Sequence, residues 1–165
     1  MILFLVLLSL NCFAQLDGLD KQLLGPHLTL GYEHRANNYF TTGLAVPIML
    51  SDNAIFRIKP SANFGNENLY GLALSWYPLY NERNINSESG SNDILMLFLT
   101  LSHVGARGLY SANDSYGIEA FYSFNLFLLS DIELGYTWLL TGTEQNFDKI
   151  FKIGLNINLS TGLFK

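Results

Sequence analysis

The feature that most constrains this chain is the alternation of apolar and polar residues in its last segment, FKIGLNINLSTGLF from Phe151 to Phe164. Between residues 151 and 163 one phase is apolar apart from Thr161, and the other holds Lys152, glycines, asparagines and Ser160. A period of two predicts a β-strand whose two faces differ in character. Whether the apolar face meets protein or the surroundings separates a soluble sheet from a membrane barrel.

The same alternation recurs along the chain between stretches rich in Gly, Asn, Ser and Asp, which predicts an all-β protein. Eight strands are predicted, over residues 27–34, 40–50, 54–64, 69–80, 93–104, 116–128, 131–141 and 148–164. Most exceed the roughly 5–6 residues usual in soluble sheets. They match the roughly 9–11 residues that a tilted strand needs to cross a bilayer.

Away from the strand ends, the charges of the predicted strands fall on one phase only. The mid-strand positions of the more apolar phase carry no charge, as a lipid face requires. The opposite phase is rich in Gly, Ser, Thr and Asn, and its mid-strand charges are Glu33, Glu119 and Glu133 against Arg57, Lys59 and Lys152. Such matching suits a closed interior, where buried charges must be paired. The alternative is a soluble sandwich or lipocalin-like barrel with the apolar phase inside.

Composition further narrows the classes of protein to which the chain can belong. Hydrophobic residues make up 49% of the chain and charged residues 14%, which is too apolar for a disordered protein. The net charge is −5 and the basic residues are scattered, so we expect no nucleic-acid partner. After residue 15 no apolar run approaches the roughly 20 residues of a spanning helix. A membrane form must therefore be a closed barrel, because lipid cannot satisfy an open sheet edge.

The N-terminal residues MILFLVLLSLNCFAQ have the length and order of a secretory signal peptide, although no basic residue precedes the apolar run. We predict a signal peptide over residues 1–14 with cleavage near Ala14, a lead-in over 15–26 and a barrel domain over 27–165. Lipidation of Cys12 is the alternative for the leader. If the leader is removed, the remaining chain has no cysteine.

From about residue 27 to 164 the chain resembles the small outer-membrane β-barrel proteins of Gram-negative bacteria. The resemblance is carried by the FAQ junction, the eight alternating segments and the ending NLSTGLF. It implies an eight-stranded, antiparallel, up-and-down transmembrane barrel with a polar, salt-bridged interior and periplasmic termini. The implied partners are outer-membrane lipid and the barrel-assembly machinery, which reads an aromatic residue at the end of the last strand. Phe164 fits that role, although Lys165 follows it.

The connections agree only partly with this resemblance, which implies longer loops outside the cell and short periplasmic turns. The fifth connection, from Gly105, is long as expected and would offer Arg107 and Asp114 to an external partner. The fourth, about residues 81–92, is as long but falls on the periplasmic side, so either that turn is unusual or the strand count is ten rather than eight. Glu144, Asp148 and Lys149 flank the seventh connection and are interpreted as surface charges.

No catalytic, cofactor-binding or metal-ligating motif is present in the sequence. The histidines His27, His34 and His103 stand at predicted strand ends, with His103 in the outward phase. Some outer-membrane lipid deacylases carry an outward histidine with a serine two residues later, but here Gly105 takes that place and Ser102 points inward.

We therefore expect a non-enzymatic protein with no cofactor and with a structural or surface-interaction role. The alternatives are a small porin-like permeation protein and a lipid-modifying enzyme. An eight-stranded barrel is just wide enough for side chains to fill, which favours a salt-bridged plug over a channel lining.

Overall fold

The computed structural model describes residues 25–51, 54–80, 99–113, 115–126, 130–140 and 147–160. Eight strands account for most of them. They are β1 (His27–Arg35), β2 (Asn37–Ser51), β3 (Ala54–Phe64), β4 (Leu69–Trp76), β5 (His103–Ser111), β6 (Tyr116–Asn125), β7 (Ser130–Leu140) and β8 (Phe147–Ser160). Within the described ranges no helix is long and apolar enough to cross a membrane.

The strands form one closed, antiparallel, up-and-down barrel in which each strand pairs with its neighbours in the chain. The barrel closes between β1 and β8, where His27 lies opposite Ser160 and His34 opposite Ile153. Closure leaves no free sheet edge in this barrel. The predicted fold class, an eight-stranded up-and-down barrel with a salt-bridged interior, is confirmed.

Side chains alternate between the interior and the outer surface along every strand, as the sequence predicted. On β8 the buried Lys152, Gly154 and Asn156 alternate with the exposed Phe151, Ile153 and Leu155. The polar and charged phase points inward and the apolar phase outward. The opposite orientation, which a soluble sandwich or lipocalin-like barrel would need, is excluded for the described strands.

The prediction for the fifth strand is wrong. It placed a strand over residues 93–104, but β5 begins at His103 and ends at Ser111. Residues 99–101 form a short helical turn, and Leu101 is buried rather than outward. The segment HVGARGLYS was mistaken for a loop because its outward positions include Ala106 and Gly108, which give little apolar signal.

This shift settles the strand count at eight but leaves the disagreement over loop lengths in place. The connection between β4 and β5 runs from Tyr77 to Ser102, whereas the connection between β5 and β6 covers only residues 112–115. The long connection lies at the end of the barrel where β1 begins and β8 finishes, which we call the termini end. The opposite end, the turn end, has short connections, the shortest being Ala36 alone. The fourth strand ends at Trp76, so Tyr80, predicted to face outward, instead lies buried beyond it.

Aromatic side chains surround the outside of the barrel at the turn end. Each strand contributes at least one outward aromatic residue there: Tyr32, Phe40, Phe64, Tyr70, Tyr110, Tyr116, Tyr136, Trp138 and Phe151. Several are neighbours across strands, as in the row formed by Tyr70, Tyr110 and Tyr116. At the termini end the described outward aromatics are Phe56, Trp76, Tyr122 and Phe124, from β3, β4 and β6. The two ends of the outer surface are therefore unequal.

Candidate functional site: the barrel interior

A group of seven charged residues fills the interior between the middle of the barrel and the turn end, and we call it the charge cluster. Its members are Glu33, Arg35, Lys59, Arg107, Glu119, Glu133 and Lys152. Every carboxylate oxygen of the three glutamates has a basic nitrogen at 3.5 Å or less. Buried charges are tolerated only when paired in this way.

Lys152 of β8 is the centre of the charge cluster. Its side chain is fully buried, and its Nζ donates to Glu119 Oε1 at 2.8 Å and to Glu133 Oε1. The same nitrogen lies 3.5 Å from Glu33 Oε2. One ammonium group on β8 thus contacts glutamates of β1, β6 and β7.

Arg107 of β5 bridges the same glutamates from the other side of the barrel. Its Nη2 donates to Glu133 Oε1 at 2.7 Å, and its Nη1 lies 3.0 Å from Glu119 Oε1. The guanidinium also lies over the Phe121 ring, 5.0 Å from its centroid. The expectation that Arg107 meets an external partner is wrong, since its side chain is buried inside the barrel.

Arg35 of β1 completes the charge cluster at the turn end and was missed in the sequence. Its Nε donates to Glu33 Oε1 at 2.9 Å, and its Nη1 lies 2.9 Å from Glu119 Oε2. Thr137 also donates to Glu119 Oε2, at 2.9 Å, and Asn63 donates to Glu33 Oε1, at 2.8 Å. The signal was available, because Arg35 continues the inward phase of Glu33 by two residues, but the predicted strand stopped at residue 34.

The six charges singled out in the sequence all belong to inward-facing phases, but they do not form one balanced set. Five of them, Glu33, Lys59, Glu119, Glu133 and Lys152, lie in the charge cluster. Arg57 lies nearer the termini end, where its Nη1 donates to the Tyr77 hydroxyl at 2.6 Å. The expected three-to-three matching therefore becomes three glutamates among four cations, with Arg57 at a different level.

Glycines on the inner wall make room for these long side chains. Gly154 lies opposite Glu33 on β1 and opposite Glu133 on β7, so the two glutamates flank a position without a side chain. Gly105 of β5 faces the Phe121 ring, whose Cζ would lie 2.4 Å from an added Cβ. The glycines on the inner phase of the sequence are therefore packing positions rather than turns.

The termini end contains a second interior region, a small cavity that we call the mouth cavity. Its volume is about 30 Å³, which is space for about one water molecule. Its lining includes His27, Arg57, Lys59, Tyr77, Leu101, His103, Phe121, Asn125, Asp131 and Asn158. Such a volume excludes a small-molecule ligand of ordinary size.

Tyr77 and Leu101, from the two described ends of the β4–β5 connection, cover the mouth cavity. Tyr77 is buried, its N–H donates to Ile55 O at 3.1 Å, and its hydroxyl accepts from Arg57. Burial raises the pKa of the Tyr77 phenol above its ordinary value, while Arg57 opposes that shift. The phenol is therefore neutral at physiological pH.

The prediction that His103 points outward is wrong. Its imidazole lines the mouth cavity and stacks on the Tyr77 ring, with centroids 4.7 Å apart and planes 29° apart. His103 Nδ1 is buried without a hydrogen-bond partner in the described chain. The same holds there for Asp131 Oδ1 and Asn158 Oδ1. The mouth cavity is therefore less completely paired than the charge cluster.

Other predicted positions fall elsewhere. His34 is exposed at the turn end, where its Nδ1 lies 2.7 Å from Asn38 Oδ1, and Lys149 is exposed on β8. The leader over residues 1–14, the assembly residue Phe164, Asp114 and Glu144 lie outside the described residues, and Asp148 is described only as part of β8. Among the residues that the structure covers, no three His, Cys, Asp or Glu side chains are grouped as a metal site would require.

Comparison with known proteins finds resemblance to solved structures, but at low sequence identity. No family model matches the chain, and no curated protein matches it. A designed transmembrane β-barrel matches 81% of this chain and 94% of its own, at 8% identity and a TM-score of 0.42. The solution structure of the designed barrel TMB2.3 matches 80% of this chain and 91% of its own, at 11% identity and a TM-score of 0.41. The crystal structure of Neisserial surface protein A matches 80% of this chain and 94% of its own, at 9% identity and a TM-score of 0.33. Likeness at this level carries no information about function.

Proposed function

We propose that this chain is an integral β-barrel protein of an outer membrane with a non-enzymatic, structural or surface-interaction role. The observation that carries the proposal is the character of the outer surface. Ile118 is 59% exposed, Phe151 60% and Leu72 54%, while Lys152 and Glu119 inside the barrel are fully buried. A protein that presents its large apolar side chains and encloses its charges is adapted to lipid rather than to water.

The position of the few outward polar groups supports the same proposal. On the outer face of the described strands Lys149 is the one residue among Lys, Arg, Asp and Glu. It lies at the turn end, opposite Trp138 in the register, within the level of the aromatic side chains. Aromatic rings and snorkelling lysines are favoured where the hydrocarbon meets the headgroups.

The filled interior favours a structural or interaction role over permeation. The charge cluster spans the barrel, and the mouth cavity has space for about one water molecule. The connections at the turn end are short, whereas the connection from Tyr77 to Ser102 is long. We therefore propose that a protein partner contacts the termini end, which the resemblance places on the periplasmic side, rather than the fifth connection where the sequence suggested it.

The membrane placement is tested by introducing a charge on the outer face. We expect Leu155→Lys to cost about 2–4 kcal/mol of folding free energy in lipid vesicles, the range for a lysine near the bilayer midplane. Asn38→Lys, exposed at the turn end, is the control and should cost at most about 1 kcal/mol. Equal stability of both variants, together with folding in water without detergent, would contradict the proposal.

Two measurements separate the remaining roles. Planar bilayers containing the protein should show no step currents under voltage, and such currents would favour the porin-like alternative. Mass spectrometry of membrane lipids after expression should show unchanged acylation, and altered chains would favour a lipid-modifying enzyme.

A further inference from the structure

We propose that the contact between His103 and Tyr77 is an acid-sensitive latch, which holds the described ends of the β4–β5 connection in the termini end of the barrel. Protonation of His103 releases them, while the charge cluster keeps the barrel itself closed. The proposal extends beyond the proposed function, because the release does not depend on the membrane that surrounds the barrel.

Arg57 of β3 joins the latch to two other chain segments, through Tyr77 and Gly25. The Nη1 of Arg57 donates to the Tyr77 hydroxyl at 2.6 Å, and its Nη2 donates to Gly25 O at 3.5 Å. The ring of Tyr77 is stacked on the His103 imidazole. The Tyr77 side chain is thus held by the hydrogen bond from Arg57, by the Arg57 guanidinium 5.0 Å from its ring centroid and by the stack on His103. Its backbone N–H donates to Ile55 O, and its carbonyl accepts from Tyr80 N–H.

The His103 imidazole is neutral while the latch is closed. Its Nδ1 has no partner among the described residues, and Phe121 meets it edge-on with centroids 6.1 Å apart. An imidazolium needs two hydrogen-bond acceptors, and a buried Nδ1–H without an acceptor is costly even though the residue as a whole is half-buried. A proton on this ring therefore disfavours the closed arrangement.

The charges around His103 reinforce that cost. The ionisable groups that face the mouth cavity region are His27 from β1, Arg57 and Lys59 from β3, Tyr77 from the connection, and Asp131 and Glu133 from β7. The side chains from β6 and β8, Phe121, Asn125 and Asn158, are uncharged.

Only one of the two carboxylates is available to the imidazolium. Glu133 is already shared by Lys59, Arg107 and Lys152. Asp131 accepts from Asn158 at 3.2 Å through one oxygen, while its other oxygen has no partner in the described chain. Protonated His103 therefore meets two cations and one available carboxylate, and His27 adds a further positive charge when it is protonated.

The latch is tested by amide hydrogen exchange of the full chain in detergent micelles, followed from pH 7 to pH 3.5 and corrected for intrinsic rates. We expect the protection of the Tyr77 amide to fall at least about tenfold across the transition, since opening follows the protonated fraction of one site. Amides of β8 should keep their protection. Unchanged protection at Tyr77 down to pH 3.5 would overturn the proposal.

Matched variants assign the effect to His103. His103→Phe keeps an aromatic ring against Tyr77 but cannot be protonated, so its Tyr77 amide should stay protected at acid pH. His34→Gln, at the exposed turn end, should release like the wild-type protein. Acid release that persists in a folded His103→Phe protein would overturn the proposal.

A second variant keeps the proposal falsifiable should His103→Phe fail to fold. Asp131→Asn removes the carboxylate that would stabilise the imidazolium in the closed state, so the loss of Tyr77 protection at acid pH should become larger. A loss that becomes smaller, or does not change, would count against the latch. Planar bilayers should remain free of step currents at acid pH, because the charge cluster stays in place. Acid-induced currents would show that the whole barrel opens and that the latch alone is not the moving part.

Discussion

The charge cluster and the mouth cavity occupy the same barrel, yet they solve the problem of buried polar groups differently. In the charge cluster each glutamate oxygen has a basic nitrogen at 3.5 Å or less. In the mouth cavity the atoms His103 Nδ1, Asp131 Oδ1 and Asn158 Oδ1 have no partner among the described residues. The charge cluster also contains a buried donor without a partner among the described residues, Arg107 Nε, but its carboxylates are all paired. Well-paired polar networks are the more rigid. The comparison therefore predicts a stiffer middle of the barrel and a termini end that rearranges more readily.

The largest effect is expected when the charge cluster loses its central cation. Lys152→Met should lower the free energy of unfolding in detergent by about 3–5 kcal/mol, because it leaves buried carboxylates short of a partner. Lys149→Met, at an exposed position of the same strand, is the control and should change it by no more than about 0.5 kcal/mol. Similar urea midpoints for the two variants would refute the difference between inner and outer lysines.

Alanine substitutions at two glycines of β5 test the packing between the charge cluster and the mouth cavity. Gly105→Ala should cost about 1–3 kcal/mol, since its Cβ would press on the Phe121 ring between the mouth cavity and Arg107. Gly108→Ala faces outward with no atom within 4 Å of its new Cβ, and should be nearly neutral. Thermal or urea unfolding of both variants measures the difference, and an equally costly Gly108→Ala would mean that backbone freedom, not packing, decides.

The mouth cavity is probed through the Tyr77 hydroxyl. Tyr77→Phe should cost about 1–3 kcal/mol, because Arg57 loses the acceptor of its 2.6 Å hydrogen bond inside the protein. Burial raises the pKa of the Tyr77 phenol, so the folded state favours the neutral form. Its contribution is complete below the ordinary pKa of tyrosine, about 10, and is lost as the pH rises above that value. Urea midpoints at alkaline pH should therefore fall more steeply for the wild type than for Tyr77→Phe.

The smallest effect on the free energy of unfolding is expected when a buried hydroxyl is removed, and it should depend on whether that hydroxyl is hydrogen-bonded. Thr137→Val removes a donor to Glu119 and should cost about 1–2 kcal/mol. Ser123→Ala removes a buried hydroxyl that has no hydrogen bond within the described residues, and should be neutral to within about 0.5 kcal/mol. Chemical unfolding of the two variants gives the comparison, and an equal loss would show that Ser123 is satisfied after all.

The barrel and its inside-out arrangement were predictable because strand periodicity is a local signal. Seven of the eight strands stand close to their predicted positions, and the phase of Glu33, Glu119, Glu133 and Lys152 was recognised. β5 was missed because small outward residues weaken the alternation, and Arg107 was lost with it.

The mouth cavity could not be predicted from periodicity. Tyr77 and Leu101 lie outside the strands, and Tyr77 is held by contacts with Ile55, Arg57 and His103. Contacts between residues far apart in the chain leave no period in the sequence. The pairing of Arg57 with Tyr77 rather than with a glutamate was missed for the same reason.

The central position of Lys152 on the last strand has a consequence for biogenesis. Glu33 belongs to the first strand, whereas its partner Lys152 lies on the last, so this pair joins the two sides of the seam. Until β8 docks, the glutamates of β1, β6 and β7 lack the ammonium that contacts all three. Closing the seam therefore also brings the central cation into the charge cluster. A chain truncated before β8 would keep three glutamates and three cations, Arg35, Lys59 and Arg107, but would lack the one group that contacts all three glutamates.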